Sequence, residues 1–162
     1  MWAPWRMAYI GGDTSEPADG CFLCRAAEDG DGAELRAEST EHTLTVLNRY
    51  PYSSGHVMVV PRRHVPDIAA LTTEESLALM TGAQRAVAAL GVAMGPQGFN
   101  LGINQGYSAG GSVTDHLHLH VVPRWAGDTN FMPVLADVKV LPELLVSTCH
   151  KLREAFQQLA SR

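Results

Sequence analysis

The stretch "HLHLHVVP", residues 116–123, constrains the fold of this chain more than any other. Leu117, Leu119 and Val121 alternate with His116, His118 and His120, and Pro123 ends the run. Strict period two is the pattern of a strand with one face in the core; on a helix His118 would face away from the other two histidines. On a strand the apolar side chains enter the core and the three imidazoles share the opposite face. A strand rises about 3.3 Å per residue, so His116 and His120 lie roughly 13 Å apart along the backbone. One zinc ion holds its ligands at about 2 Å, so all three imidazoles on one straight strand would struggle to share a metal. The spacing therefore predicts a division of labour among them.

The flanking segments supply the rest of a single α+β domain spanning 1–162. Residues 1–20 read as an irregular arm rich in Gly, Pro and Trp, ordered if Trp2 and Trp5 dock. "CFLC" suits one or two helical turns, "AELRAES" and "HTLTVLN" two short strands, and "NRYPYSSG" a turn. "HVMVVP" follows as a buried strand that Pro61 ends. Thr72 or Thr73 caps a helix whose first turn holds Glu74 and Glu75. Leu77, Met80, Ala83, Gln84 and Val87 form its expected apolar stripe. "GFNLGIN" reads as a strand and "QGYSAGGS" as a glycine-rich loop before the histidine strand. A closing helix carries Leu144, Leu145, Thr148, Leu152, Phe156 and Leu159 on one side.

A chain of 162 residues with 46% hydrophobic residues can bury a real core. Its net charge of −5 argues against a general nucleic-acid or membrane-binding surface, yet leaves room for one small anion in a local pocket. No apolar stretch approaches a membrane span, and "MWAPWRMAYIGG" lacks the run of about 7–15 apolar residues of a signal peptide. The expected setting is a reducing cytoplasm. An odd cysteine count, three, argues mildly against a disulfide framework and leaves the Cys21-x-x-Cys24 pair as a metal half-site, a redox pair or coincidence.

Imidazole can act as nucleophile, acid or base near neutral pH. The loop just before the triad supplies what an anion needs: glycines that let backbone N–H groups approach, with Asn104 and Ser112 adding neutral polar contacts. It is not a P-loop, since no G-K-[ST] is present. A second cluster, Asn48, His56 and His64, surrounds the "HVMVVP" strand. Cys21 and Cys24 offer two thiolates, and a tetrahedral structural site wants four nitrogen or sulfur ligands. Histidines are the natural completion; His64 and His116 are chosen, although spacing alone does not select them.

"HLHLHVV" resembles the motif of the histidine-triad (HIT) superfamily, and "WAPWR", "CFLC", "NRYPYSSGHVMVVPRRHV", "NQGYSAGGSVTDHLHLHVVPRW" and "GDTNFMPV" are similar to its branch of bacterial enzymes that split diadenosine polyphosphates. The resemblance implies the α+β HIT fold, an antiparallel sheet with two main helices, usually as a homodimer. It implies that His118 attacks the α-phosphorus to form a nucleotidyl-histidine, that His120 stabilises phosphate or helps the leaving group, and that His56 supports the triad from behind. Asn48 would touch the ribose; Asn104, Gly111 and Ser112 match the phosphate-contacting loop; Trp125 resembles a position that shapes the nucleotide site. Zinc-bearing members use positions that are here Cys21, Cys24, His64 and His116, which implies a structural zinc. The expected function is cleavage of dinucleoside polyphosphates, with phosphorolysis favoured over hydrolysis. The alternatives are hydrolysis of adenosine 5′-monophosphoramidates and a non-catalytic nucleotide-binding module.

Overall fold

The start of the long helix is written locally. Thr72 accepts a hydrogen bond from the Glu75 amide through its side chain, and the Glu75 carboxylate accepts from the Thr72 amide, a reciprocal capping box worth about 1 kcal/mol. The computed structural model describes residues 20–28, 33–110, 113–128 and 143–161. In it a short helix α1 (Phe22–Arg25) precedes strands β1 (Arg36–Ser39), β2 (Thr43–Leu47) and β3 (Val57–Pro61). The long helix α2 (Thr73–Met94), β4 (Gly98–Ile103), β5 (Leu119–Arg124) and α3 (Leu145–Ala160) follow. The five strands form one antiparallel sheet in the order β1-β2-β3-β5-β4, the expected α+β arrangement with two main helices.

Directly opposed residues in antiparallel strands share a face. Val59 opposes Leu119 and Val57 opposes Val121, and these four side chains belong to the large core. Helices α2 and α3 cover that face with Leu79, Ala83, Ala86, Leu90, Leu152 and Phe156. On the other face Met58 opposes His120, which opposes Gly102 of β4 on its far side. A smaller cluster of Leu23, Met58 and Val60 seats α1 there.

Four expectations need correction. The histidine strand is shorter than its pattern: β5 begins at Leu119, so His116 and His118 precede the ladder. Pairing with both β3 and β4 ends at Leu119, and the Leu117 amide turns instead to the Val65 carbonyl at 2.6 Å. The buried face of α2 is Leu79, Gly82, Ala83, Ala86, Ala89 and Leu90, whereas Leu77 and Met80 are 69% and 54% exposed. The helix packs too closely for large residues: a Cβ on Gly82 would meet Val59 Cγ1 at 2.7 Å. In α3 Leu144 is exposed and Cys149 and Ala155 are buried. Finally, Thr73–Met94 is by length and composition alone apolar enough to cross a membrane. Its small residues are buried against the sheet, as in a core helix.

Residues 1–19, 29–32 and 129–142 lie outside the described residues, as do Gly111 and Ser112. The expectations for the N-terminal arm, most of the acidic segment 28–34, most of the "GDTNFMPV" stretch and the phosphate contacts of Gly111 and Ser112 therefore fall there.

Candidate active site

The turn before β3 presents His56. The Gly55 φ is +76°, a conformation that favours glycine, and a Cβ there would meet the Met94 sulfur at 2.6 Å. The His56 carbonyl accepts from the Asn48 amide, its amide donates to Ser53 O, and Ser53 Oγ donates to Pro123 O. His56 is fully buried as a result.

Donor and acceptor identities then fix the imidazoles. The Tyr52 amide can only donate, and it does so to His56 Nδ1 at 3.0 Å. The His56 proton therefore sits on Nε2, which donates to His120 Nδ1 at 3.0 Å. His120 in turn carries its proton on Nε2. The Tyr52 ring stacks on His56, centroids 4.8 Å apart and planes 19° from parallel, and lies 5.9 Å from the His120 ring. Sequence reasoning missed Tyr52, because its contribution runs through a backbone amide and a stacking face; "NRYPYSSG" signals the turn but not this role.

His118 and His120 meet edge to face, their centroids 4.7 Å apart. Nδ1 of His118 donates to the His116 carbonyl at 2.9 Å, which leaves the lone pair on Nε2. Burial pushes the His118 pKa down, partly offset by that hydrogen bond. Burial therefore favours the neutral ring. Beside it the β4 face carries Asn100 and Gly102, and a Cβ on Gly102 would meet nothing within 4 Å. That open side gives a ligand access to the two rings.

His116 turns to a different set of partners. Its Nε2 donates to Pro61 O at 2.8 Å, and burial lowers its pKa. Nδ1 then faces Cys21 Sγ and Cys24 Sγ, each at 3.4 Å, while His64 Nδ1 lies 3.3 Å from Cys24 Sγ. These four ligand atoms all lie within 4.8 Å of one another. A zinc tetrahedron with bonds of about 2.3 Å to sulfur and about 2.0 Å to nitrogen has S···N edges of roughly 3.5 Å, so the donor set fits a metal ion. Burial first, and then Cys21, push the Cys24 thiol up to about 11.

The remaining expected residues are placed less centrally. Asn48 Oδ1 accepts from the Tyr50 amide at 2.9 Å and shapes the turn. Asn104 follows directly on β4, beside the glycine loop. Trp125 lies beyond the end of β5, roughly 16 Å along the chain from His120. Its amide donates to Asp128 Oδ2 at 3.1 Å. Arg62 and Arg63 face structure rather than ligand: Arg62 donates to Thr40 O and Ser39, and Arg63 to Glu75 and Ala70 O. Two surface clefts of about 410 and 350 Å³ open beside Glu38 and Phe156, near β1, α2 and α3, and no histidine lines either.

This geometry has counterparts. A model of the HIT domain matches residues 37–127. AP-4-A phosphorylase of Mycobacterium tuberculosis is 40% identical over 156 residues, covering 91% of this chain and 79% of that protein. Bis(5'-adenosyl)-triphosphatase of Dictyostelium discoideum is 36% identical over 86 residues, 53% of this chain and 57% of that protein. A solved Zn-bound histidine triad family protein from Mycobacterium smegmatis has a TM-score of 0.72 and 28% identity, covering 90% of this chain and 99% of that one.

Proposed function

The chain belongs to the HIT domain family, and from that premise we propose that it is an enzyme cleaving dinucleoside polyphosphates through a nucleotidyl-His118 intermediate, with phosphate favoured over water as the acceptor. The observation that carries this reading is His118: a buried, neutral imidazole whose Nδ1–H is held by the His116 carbonyl, leaving Nε2 as the nucleophile. Likeness to an AP-4-A phosphorylase over most of the chain supports the substrate class.

In the first step the Nε2 lone pair of His118 attacks the α-phosphorus. The P–O bond to the bridging oxygen breaks, and its electrons leave with the nucleoside polyphosphate. The Nδ1 proton stays on His118, so the nucleotidyl ring is cationic and faces the His116 carbonyl. In the second step an acceptor oxygen attacks the same phosphorus and the P–N electrons return to Nε2. His120 donates its Nε2–H to phosphate oxygens, and His56 holds it in place. The glycine loop with Asn104, Gly111 and Ser112 binds phosphate, Asn48 reaches the ribose, and Trp125 borders the base end of the nucleotide.

Cys21, Cys24, His64 and His116 are the residues that would hold zinc. The ion would supply structure rather than chemistry, tying α1 and the loop after β3 to the backbone that carries His118. Thiol ligands of this kind suit a reducing cytoplasm. The whole of 1–162 would form the single domain, with 1–20 as an arm on it. The chain would act as a homodimer: Leu77 and Met80 of α2 and Leu101 of the edge strand β4 are exposed apolar side chains that a second copy could cover.

Product analysis on diadenosine tetraphosphate with and without inorganic phosphate tests the proposal. ADP and ATP formed only when phosphate is supplied support it. AMP and ATP formed equally fast without phosphate contradict the favoured acceptor, and no turnover in either condition contradicts the activity.

A further inference from the structure

His64 is the one exposed member of the Cys21, Cys24, His64 and His116 cluster. The other three are seated in the fold. Cys21 and Cys24 bracket Leu23, which α1 buries against Met58 and Val60. His116 is buried, and its Nε2 donates to Pro61 O. The His64 ring meets Cys24 Sγ through Nδ1 at 3.3 Å and the His116 ring at its edge, centroids 4.8 Å apart. Nδ1 is the ring nitrogen nearer the backbone, so its position follows the loop that carries His64. That loop is pinned on both sides. The Arg62 amide donates to His42 O at 2.9 Å, and Arg62 Nε donates to Thr40 O at 2.7 Å. Beyond His64 the buried Val65 accepts from the Leu117 amide, which ties the residue after one histidine ligand to the residue after the other. Directly before His64, Arg63 grips Glu75 through two donors, Nε to Oε1 at 2.8 Å and Nη2 to Oε2 at 2.6 Å. Nη2 also donates to Ala70 O at 2.7 Å. Glu75 is itself fixed at the start of α2, because its Oε2 accepts from the Thr72 amide at 2.9 Å.

We propose that Arg63 and Glu75 are positioning residues for the metal centre: their ion pair anchors the His64 loop to the capped end of α2 and so keeps His64 Nδ1 within bonding distance of zinc. This rests on the zinc reading above and adds to it two residues that do not belong to the ligand cluster. A two-point guanidinium–carboxylate pair fixes orientation as well as distance. A zinc–nitrogen bond tolerates only about 0.2 Å of displacement, so a slight loosening of the loop loosens the fourth ligand. The pair lies at the surface, where its contribution to folding is small. The metal centre and the fold therefore respond differently to its loss: zinc leaves faster while the fold persists. A chelator displaces the exposed ligand His64 before the buried His116, in a ligand exchange with no change of oxidation state.

The test follows release of zinc from the full chain to an excess of a chromogenic zinc chelator, with elemental analysis of the starting metal and a thermal melt of each variant. Arg63→Ala removes the guanidinium. Glu75→Gln removes the ion pair but keeps a side chain that completes the capping box. Each is expected to stay folded and to release zinc about 10-fold faster than the native protein, the low end of what a lost supporting contact costs a metal site. The double variant is expected to release it no faster than either single one, because both changes remove the same link. Thr72→Ala leaves Arg63 and Glu75 in place and removes the hydroxyl that accepts from the Glu75 amide. It is expected to lower Tm yet release zinc at the native rate. Native release rates in both Arg63→Ala and Glu75→Gln would overturn the inference. So would multiplied effects in the double variant, or an equal acceleration by Thr72→Ala. A native protein that binds no zinc when the metal is supplied fails the zinc reading, and this inference with it. Zinc bound at full stoichiometry with unchanged release from the variants fails the inference alone.

Discussion

Nε2 of His56, just before β3, lies 3.0 Å from Nδ1 of His120, the second residue of β5, with both side chains buried. The contact joins two residues 64 positions apart and is made possible by the pairing of Val57 with Val121 and of Met58 with His120. Removing one partner leaves a buried ring nitrogen without its bond, at a cost of about 1–3 kcal/mol. The catalytic effect is larger, because His120 loses its fixed tautomer. His56→Ala is expected to lower kcat by roughly 10²-fold with a smaller change in KM. Steady-state kinetics alongside a thermal melt separate this from simple unfolding.

The metal centre predicts a different phenotype. Cys21→Ser removes one thiolate of the four-ligand cluster, and the variant is expected to lose its zinc as measured by elemental analysis. Chelation of the native protein is expected to lower Tm by about 2–4 °C for each kcal/mol withdrawn. His118 stands two residues from the ligand His116, so activity falls with the metal although zinc takes no part in bond breaking. Zinc retained at full stoichiometry in Cys21→Ser would remove Cys21 from the ligand set.

How much of this site is legible in the sequence depends on how local each determinant is. The capping box of Thr72 and Glu75 spans four residues and is readable at once. So is Cys21-x-x-Cys24 as a half-site, and the alternation that separates His116 from His120. The truncated strand is not readable from "HLHLHVV", because it depends on where β3 stops pairing and on the Leu117–Val65 bond. The face of α2 was misread for a related reason. Periodicity weights large apolar residues, whereas this helix buries Gly82, Ala83, Ala86 and Ala89 to approach the sheet closely. Tyr52 acts through its amide, and no side-chain pattern announces that.

The misread face itself makes a prediction. Leu77 and Met80 of α2 are more than half exposed. Buried between two copies they would no longer face water. The native protein is expected to run as a dimer in analytical ultracentrifugation, and the double variant Leu77→Glu, Met80→Glu as a folded monomer. A dimer unaffected by the double variant would locate the interface elsewhere.

The loop that carries His64 predicts an acid-limb effect on stability. Hydrogen bonding to Arg63, and then to the Thr72 amide, lowers the Glu75 pKa from 4.5 to about 2. A carboxyl depressed in the folded state stabilises the fold at pH above its ordinary value and loses that contribution as pH falls through the folded one. The Tm difference between the native protein and Glu75→Gln is therefore expected to be constant above about pH 5 and to shrink between pH 4.5 and 2. A difference independent of pH across that window would show that the ion pair with Arg63 contributes nothing.

The central claim is the covalent intermediate on His118, and mass spectrometry of acid-labile adducts tests it most directly. The protein is mixed with diadenosine tetraphosphate in the absence of phosphate, quenched in base, and digested. The account predicts one adenylyl group on the peptide containing His118, absent in His118→Ala and discharged as ADP when phosphate is added. Full turnover with no adduct, or an adduct on His116 or His120, would contradict it.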